Sequence, residues 1–250
     1  MKKVSLFSLL LFHFTSSTMA QVAPEGAVSS GDMVLYRNEM HGGPLIHTNG
    51  WGIFFRKGVH ATGTKKRFLE FEYVSMKHEK EIRSVNPYYE NAKGYIYGKQ
   101  NAFSVFRPGI GFQKTLHGQD QRKGVEVRYH YFVGPSMGFL KPIYLEIIRG
   151  GNSNIPVVTE KYDPDTHHID NIYGKAPFAK GMDELKIQPG LYGKFGLSFE
   201  YSPFDNYVRA IETGFTIDAY SKRIPIMALT NNNQLFFNFY ISYVYGKKEF

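Results

Sequence analysis

Leu235-Phe236-Phe237-Asn238-Phe239-Tyr240-Ile241-Ser242-Tyr243-Val244-Tyr245-Gly246 is the stretch whose reading decides the fold. Successive side chains of a β-strand point to opposite sides, so a strand sorts its residues into two sets by alternation. Leu235, Phe237, Phe239, Ile241, Tyr243 and Tyr245 form one set, wholly apolar or aromatic. Phe236, Asn238, Tyr240, Ser242, Val244 and Gly246 form the other, a mixture of small, polar and ring groups.

The same period recurs upstream. Leu191, Phe195, Leu197, Phe199 and Tyr201 oppose Tyr192, Lys194, Gly196, Ser198 and Glu200. Ile211, Phe215, Ile217 and Ala219, with Thr213 among them, oppose Glu212, Gly214, Thr216 and Asp218. Val125, Val127, Tyr129, Tyr131 and Val133 oppose Glu126, Arg128, His130, Phe132 and Gly134, and Leu69, Phe71 and Tyr73 oppose Glu70 and Glu72. A soluble sandwich also alternates, but here the polar faces carry both signs of charge. Glu70, Glu72, Glu126, Glu200, Glu212 and Asp218 stand against Arg56, Arg107, Arg128 and Lys194. Small membrane barrels have polar interiors, and charges withdrawn from water need partners. A barrel-interior network of Glu70, Glu72, Arg107, Glu126, Arg128, His130, Lys194, Glu200, Glu212 and Asp218 is therefore expected. The competing reading is the solvated outer face of a sandwich.

Eight strands accommodate the pattern, at Asp32–Arg37, Thr48–Lys57, Arg67–Glu79, Ala102–Lys114, Val125–Ile148, Leu191–Tyr201, Arg209–Tyr220 and Leu235–Gly246. The second, fourth and sixth connections are then short, while the third (Lys80–Asn101) and fifth (Arg149–Gly190) are long and the seventh (Ser221–Gln234) intermediate. Short periplasmic turns facing longer outer loops are the expected asymmetry of membrane barrels. The first connection, Asn38 to His47, is short and does not fit that asymmetry. Val125–Ile148 is long for one strand, and Gly134-Pro135-Ser136-Met137-Gly138 offers a turn that would split it and point to ten strands. Alternation runs through that segment, with Gly134, Ser136 and Gly138 inward, so it is kept whole.

The N-terminus carries Lys2 and Lys3, an apolar run from Val4 to Phe14, and Thr18-Met19-Ala20 before Gln21. That order is a secretory signal peptide cleaved after Ala20, and the run is too short for a span of roughly 20 residues. Residues 1–20 are thus expected to be removed and 21–250 to form one outer-membrane barrel domain, with long outer loops near 80–101 and 149–190. There is no cysteine, which excludes a disulfide framework and a thiolate metal site. Aromatics make up 16% of the chain, with 18 Tyr and 21 Phe, as suits strands and interface girdles. The formal charge of +8 suggests acidic partners. Export excludes nucleic acid and leaves lipopolysaccharide phosphates or acidic glycans. The final Phe250, after an aromatic strand, resembles the recognition signal of outer-membrane barrels, although it falls out of register with the apolar set.

Within the fifth connection, Asp163, Asp165, His167, His168, Asp170 and Tyr173 form a polar cluster that is a candidate partner-contact loop. A divalent metal could use such groups, but adjacent side chains diverge on an extended chain and Asp-Pro-Asp is ordinary turn chemistry, so no metal is expected. The third connection carries Tyr88, Tyr89, Tyr95 and Tyr97, suited to stacking on a sugar or protein or to packing on the fifth. Lipid-modifying barrel enzymes need a nucleophile beside a base. Ser136 lies some 20 Å along the strand from His130 at about 3.3 Å per residue. No Gly-rich phosphate loop or zinc-protease motif stands out, so neither catalysis nor a cofactor is expected.

In its layout the chain resembles the uncharacterised outer-membrane β-barrel proteins of Bacteroidetes. The likeness rests on the signal peptide ending before Gln21, on Arg67-Phe68-Leu69-Glu70-Phe71-Glu72, on the stretch from Gly134 to Pro142, and on the aromatic terminal strand. It implies an outer-membrane location and about eight antiparallel strands, and carries no functional residues across. The fold expected is all-β, an antiparallel up-and-down transmembrane barrel with long extracellular loops. The function expected is non-enzymatic engagement of lipopolysaccharide, a glycan or another surface protein by the outer loops. The alternatives are an outer-membrane lipid-modifying enzyme and a soluble periplasmic sandwich or lipocalin-like binder.

Overall fold

The computed structural model of the chain describes residues 38–62, 64–117, 124–149, 157–201 and 206–249. The expected signal peptide, the expected strand Asp32–Arg37 and Phe250 lie outside these residues. Thirteen strands occur among the described residues: β1 (Asn38–His47), β2 (Gly50–His60), β3 (Lys65–Met76), β4 (Arg83–Ser84), β5 (Tyr95–Ile96), β6 (Asn101–His117), β7 (Glu126–Pro142), β8 (Tyr144–Ile148), β9 (Val157–Lys161), β10 (Ile172–Lys175), β11 (Lys186–Glu200), β12 (Tyr207–Tyr220) and β13 (Leu235–Glu249). Eight close into a ring in the order β1-β13-β12-β11-β7-β6-β3-β2. Every neighbouring pair is antiparallel.

Alternation puts the apolar set outside and the charged set inside. Ile53, Leu69, Val133, Leu191, Phe239 and Ile241 are exposed on the outer wall, while Glu70, Arg56, Arg107, Glu212 and Asp218 are buried in the lumen. A soluble barrel has the opposite polarity. Only hydrocarbon makes an apolar exterior favourable, and only a closed ring satisfies every strand edge there. The chain is a transmembrane β-barrel, and the single closed ring replaces the sandwich alternative.

The segment Asn38–His47, expected as a connection, is β1 itself. Its Gly42-Gly43-Pro44 resembles a turn but serves close packing: a Cβ on Gly43 would lie 1.8 Å from the Tyr243 carbonyl oxygen, and one on Gly42 2.6 Å from that of Phe54. Pro44 has no N–H to donate, and the ladder to β13 pauses between Gly42↔Tyr245 and Leu45↔Ser242. The real first connection is the two-residue turn Thr48–Asn49.

Val125–Ile148 divides at Ile143, not at Gly134. β7 runs unbroken through Gly134-Pro135-Ser136-Met137-Gly138, paired residue by residue with β11 from Lys186↔Leu140 to Glu200↔Glu126. Its pairing with β6 ends at Asn101↔Pro142, where proline withdraws a donor. β8 then leaves the ring and pairs with β9 and β10 in a separate three-stranded sheet. The long strand thus splits without adding a strand to the barrel.

Residues 61–64, 118–125 and 201–206 connect strands at one end of the ring; 48–49, 77–100, 143–185 and 221–234 connect them at the other. The last of these folds into the barrel mouth. Ile224, Ile226 and Met227 are buried in one apolar cluster with Val74, Met76, Phe103, Tyr220 and Phe236. The Ile226 carbonyl accepts from the N–H groups of Gln100 at 2.9 Å and Asn101 at 3.2 Å. Within the segment, Asn232 Oδ1 accepts from the Ile226 N–H at 2.9 Å, and its Nδ2 donates to the Met227 carbonyl at 2.8 Å.

Candidate functional site

Two assemblies stand out: the ion-paired lumen and the folded loops above it. In the lumen Arg56 donates through Nε to Glu70 at 2.6 Å and through one Nη to both oxygens of Glu212, at 2.8 and 2.9 Å. Its guanidinium lies 4.5 Å from the ring centres of both Phe54 and Phe132, a stacking that suits a delocalised cation. Arg107 grips Asp218 with two parallel bonds, at 2.9 and 2.6 Å, and also pairs with Glu72. Lys194 joins the halves by bonding Glu72 and reaching Glu70 at 3.3 Å. His130 shares a 2.7 Å hydrogen bond with the Tyr240 hydroxyl and lies 3.7 Å from Glu212.

A second group sits toward the short-turn end. Arg128 bonds Glu126 at 2.8 Å and also pairs with Glu200, which accepts from Lys248 at 2.9 Å. Glu126 is half-buried there and also accepts from Thr115 Oγ1 at 2.8 Å. Of the ten residues expected inside, Glu70, Glu72, Arg107, Lys194, Glu212 and Asp218 are joined with Arg56 in one network, His130 adjoins it, and Glu126, Arg128 and Glu200 form another. Sequence reasoning missed a third cluster, Glu39 with Lys66 and with His41 at 3.0 Å. Glu39 and His41 lie on the strand mistaken for a connection, which hid their alternation.

Buried ion pairs hold their shape but contribute little net stability, because desolvation offsets attraction. Their interlocking fills the lumen with side chains, as an eight-stranded ring requires. His130 is tied to Tyr240 and Glu212, and Ser136 faces Gly190 of β11 further along β7.

The long loops form the second assembly. Residues 77–100 carry the β4–β5 hairpin, and residues 143–185 carry the sheet β10-β8-β9. Tyr95, Leu145, Ile147, Tyr162 and Ile172 make a buried cluster between them, with Tyr97 packed against it. Asn86, almost fully buried, donates from Nδ2 to the carbonyls of Ile172 at 2.7 Å and Ile169 at 2.9 Å. Tyr89 meets Tyr173 edge-on, with ring centres 6.3 Å apart, and Lys93 bonds Glu146 at 2.8 Å. Arg149 holds Glu160 with two bonds, at 2.7 and 2.6 Å, and this hydrogen bonding lowers the carboxyl pKa of Glu160.

The candidate partner-contact residues separate in this frame. His167 is buried: its Nδ1 accepts from the Asp163 N–H at 3.0 Å, and its Nε2 lies 3.3 Å from Glu160. It fixes the bend after β9. Asp163 is occupied locally too, its side chain accepting from the Asp165 N–H at 3.1 Å. Asp165, His168 and Asp170 are exposed, and Tyr173 is half-buried against Tyr89. Among the described residues no three metal-ligating side chains converge. The outward-facing surface also presents Ile82, Val85 and Tyr88 on the third connection and Phe178 on the fifth.

No known protein-family model and no curated protein matches the chain. Among solved structures, it is similar to Ail, the attachment invasion locus protein of Yersinia pestis, at 9% identity over 84% of this chain and 97% of that one, with a TM-score of 0.41. The same protein in complex with the heparin analogue sucrose octasulfate matches at 8% identity, and Neisserial surface protein A at 8% over 84% of this chain and 95% of its own, both with TM-scores of 0.41.

Proposed function

We propose that the chain is an outer-membrane docking module, exported behind residues 1–20, whose barrel passes no solute and whose loop assembly engages a ligand at the cell surface. The observation that carries this reading is the fold of the loops themselves. Residues 77–100 and 143–185 share a buried cluster, a buried asparagine clamp and paired tyrosines, above a lumen already filled by ion pairs and closed by Ile224 and Ile226. Ordering long loops costs about 1–2 kcal/mol of backbone entropy per residue, and loops carry function where a rigid scaffold presents them.

The ligand classes that fit are the saccharide of lipopolysaccharide, another surface glycan, or a protein. Tyr88 and Phe178, 75% and 78% exposed, offer rings for stacking or for an interface anchor. The test is excision. Replacing residues 144–185 by a Gly-Ser turn should leave a folded barrel in lipid nanodiscs while abolishing its retention of delipidated lipopolysaccharide saccharide and of surface-protein extract. Retention equal to that of the full chain contradicts the reading.

A further inference from the structure

A cavity of about 380 Å³ opens between the β4–β5 hairpin and the three-stranded sheet. That size lies within the usual range for small-molecule sites, roughly 300–1,000 Å³. Its apolar wall is Ile96, Ile143 and Leu145, and its polar rim is Lys77, Glu81, Arg83, Lys99 and Lys175. Glu81 is committed to Lys99 at 2.5 Å. Lys77, Arg83 and Lys175 reach solvent at the rim and have no carboxylate partner among the described residues, so they give the cavity three cations not paired within the protein.

Two further features mark a built site. A Cβ on Gly94 would lie 2.4 Å from Arg83 Nε and 2.9 Å from one of its terminal nitrogens, so glycine there lets the guanidinium rest against the hairpin. Tyr95 also lines the cavity, only 3% exposed, and belongs to the buried cluster with Leu145 that holds this wall in place.

We propose that this cavity binds a phosphate monoester carried on a compact, partly apolar body, such as a phosphorylated sugar ring. The inference rests on the docking reading above and names the ligand class of that same assembly. Arg83 supplies a planar fork matched to an oxyanion, with Lys77 and Lys175 as point charges beside it. Ile96, Ile143 and Leu145 take the body. Three such cations favour a dianion. A phosphate monoester carries about −1.5 to −2 charges near pH 7, whereas a carboxylate or a sulfate ester carries one.

The experiment is calorimetric titration of the full chain, folded in neutral detergent, with phenyl phosphate, phenyl sulfate and inorganic phosphate. Phenyl phosphate should bind saturably, and the other two at least ten-fold more weakly. Arg83→Ala and Lys175→Ala should each weaken phenyl phosphate ten-fold or more with the gel mobility of the folded barrel unchanged. Absence of saturable binding, equal binding of phenyl sulfate, or wild-type affinity in both cation variants overturns the proposal. Nanodiscs containing diphosphoryl lipid A then distinguish the source. Competition with phenyl phosphate identifies a lipid-borne headgroup; its absence identifies a free sugar phosphate. If phenyl phosphate fails while excision of 144–185 still abolishes saccharide retention, the pocket assignment falls and the docking reading stands. If phenyl phosphate binds while excision changes nothing in retention, the reverse holds.

Discussion

Arg107 holds two carboxylates at once, Asp218 through a two-bond fork and Glu72 through its other terminal nitrogen. Removing one member of a buried ion pair strands the other charge, at about 3–5 kcal/mol. Arg107→Ala should therefore lower the urea midpoint for loss of the folded barrel by that order, and adding Glu72→Gln and Asp218→Asn should recover part of it. Chemical denaturation in lipid bilayers measures this, and an unchanged midpoint for Arg107→Ala would show that the network is not closed as described. At this scale much of the lumen was legible, because a charge on the small-and-polar side of an alternating strand has only the interior to face. Lys66 and Lys248 were not legible, since a lysine near a strand end looks solvated. Tyr192 and Tyr240 were hidden as well: a ring on the inner face gives no sign that its hydroxyl reaches Glu70 at 3.3 Å or His130. His167 illustrates the opposite error, a histidine read as a candidate partner contact that folding buries as a bend-fixing group.

Ring closure depends on β1, the shortest of the barrel strands. Gly43 faces the backbone of β13 so closely that any side chain collides with the Tyr243 carbonyl. Gly43→Val should force β1 away from β13, open an edge in hydrocarbon and abolish a compact unboiled gel species, whereas Gly193→Ala, where an added Cβ meets nothing within 4 Å, should leave it intact. Equal behaviour of the two variants would remove the close approach as the reason for glycine. The barrel strands β2, β3, β6, β7, β11, β12 and β13 were legible, with boundaries displaced by a few residues, whereas the short loop strands β4, β5, β9 and β10 were read as connection. β1 was not legible, because Gly-Gly-Pro is turn chemistry in most contexts and only the neighbouring strands reveal it as close packing. The departure of β8 from the ring was equally invisible: alternation continues across Ile143, and the ladder stops because Pro142 cannot donate.

On the scale of the whole molecule, lumen and mouth are both filled. The ion pairs occupy the interior, and the connection 221–234 places Ile224 and Ile226 over it. The protein reconstituted into planar bilayers should pass no stepwise ionic current, and steady unit conductance of the porin kind would contradict a filled barrel. The loop asymmetry was legible from connection lengths, but the plug was not, since an isolated Ile-Pro-Ile in a polar loop carries no periodic signal. The most direct test of the central claim, a closed transmembrane ring, is the mobility of the membrane-fraction protein on SDS gels before and after boiling. A ring with every edge paired resists SDS at room temperature, so the account predicts that the protein fractionates with membranes and that its band shifts on boiling. A soluble periplasmic protein with one mobility under both conditions would contradict it.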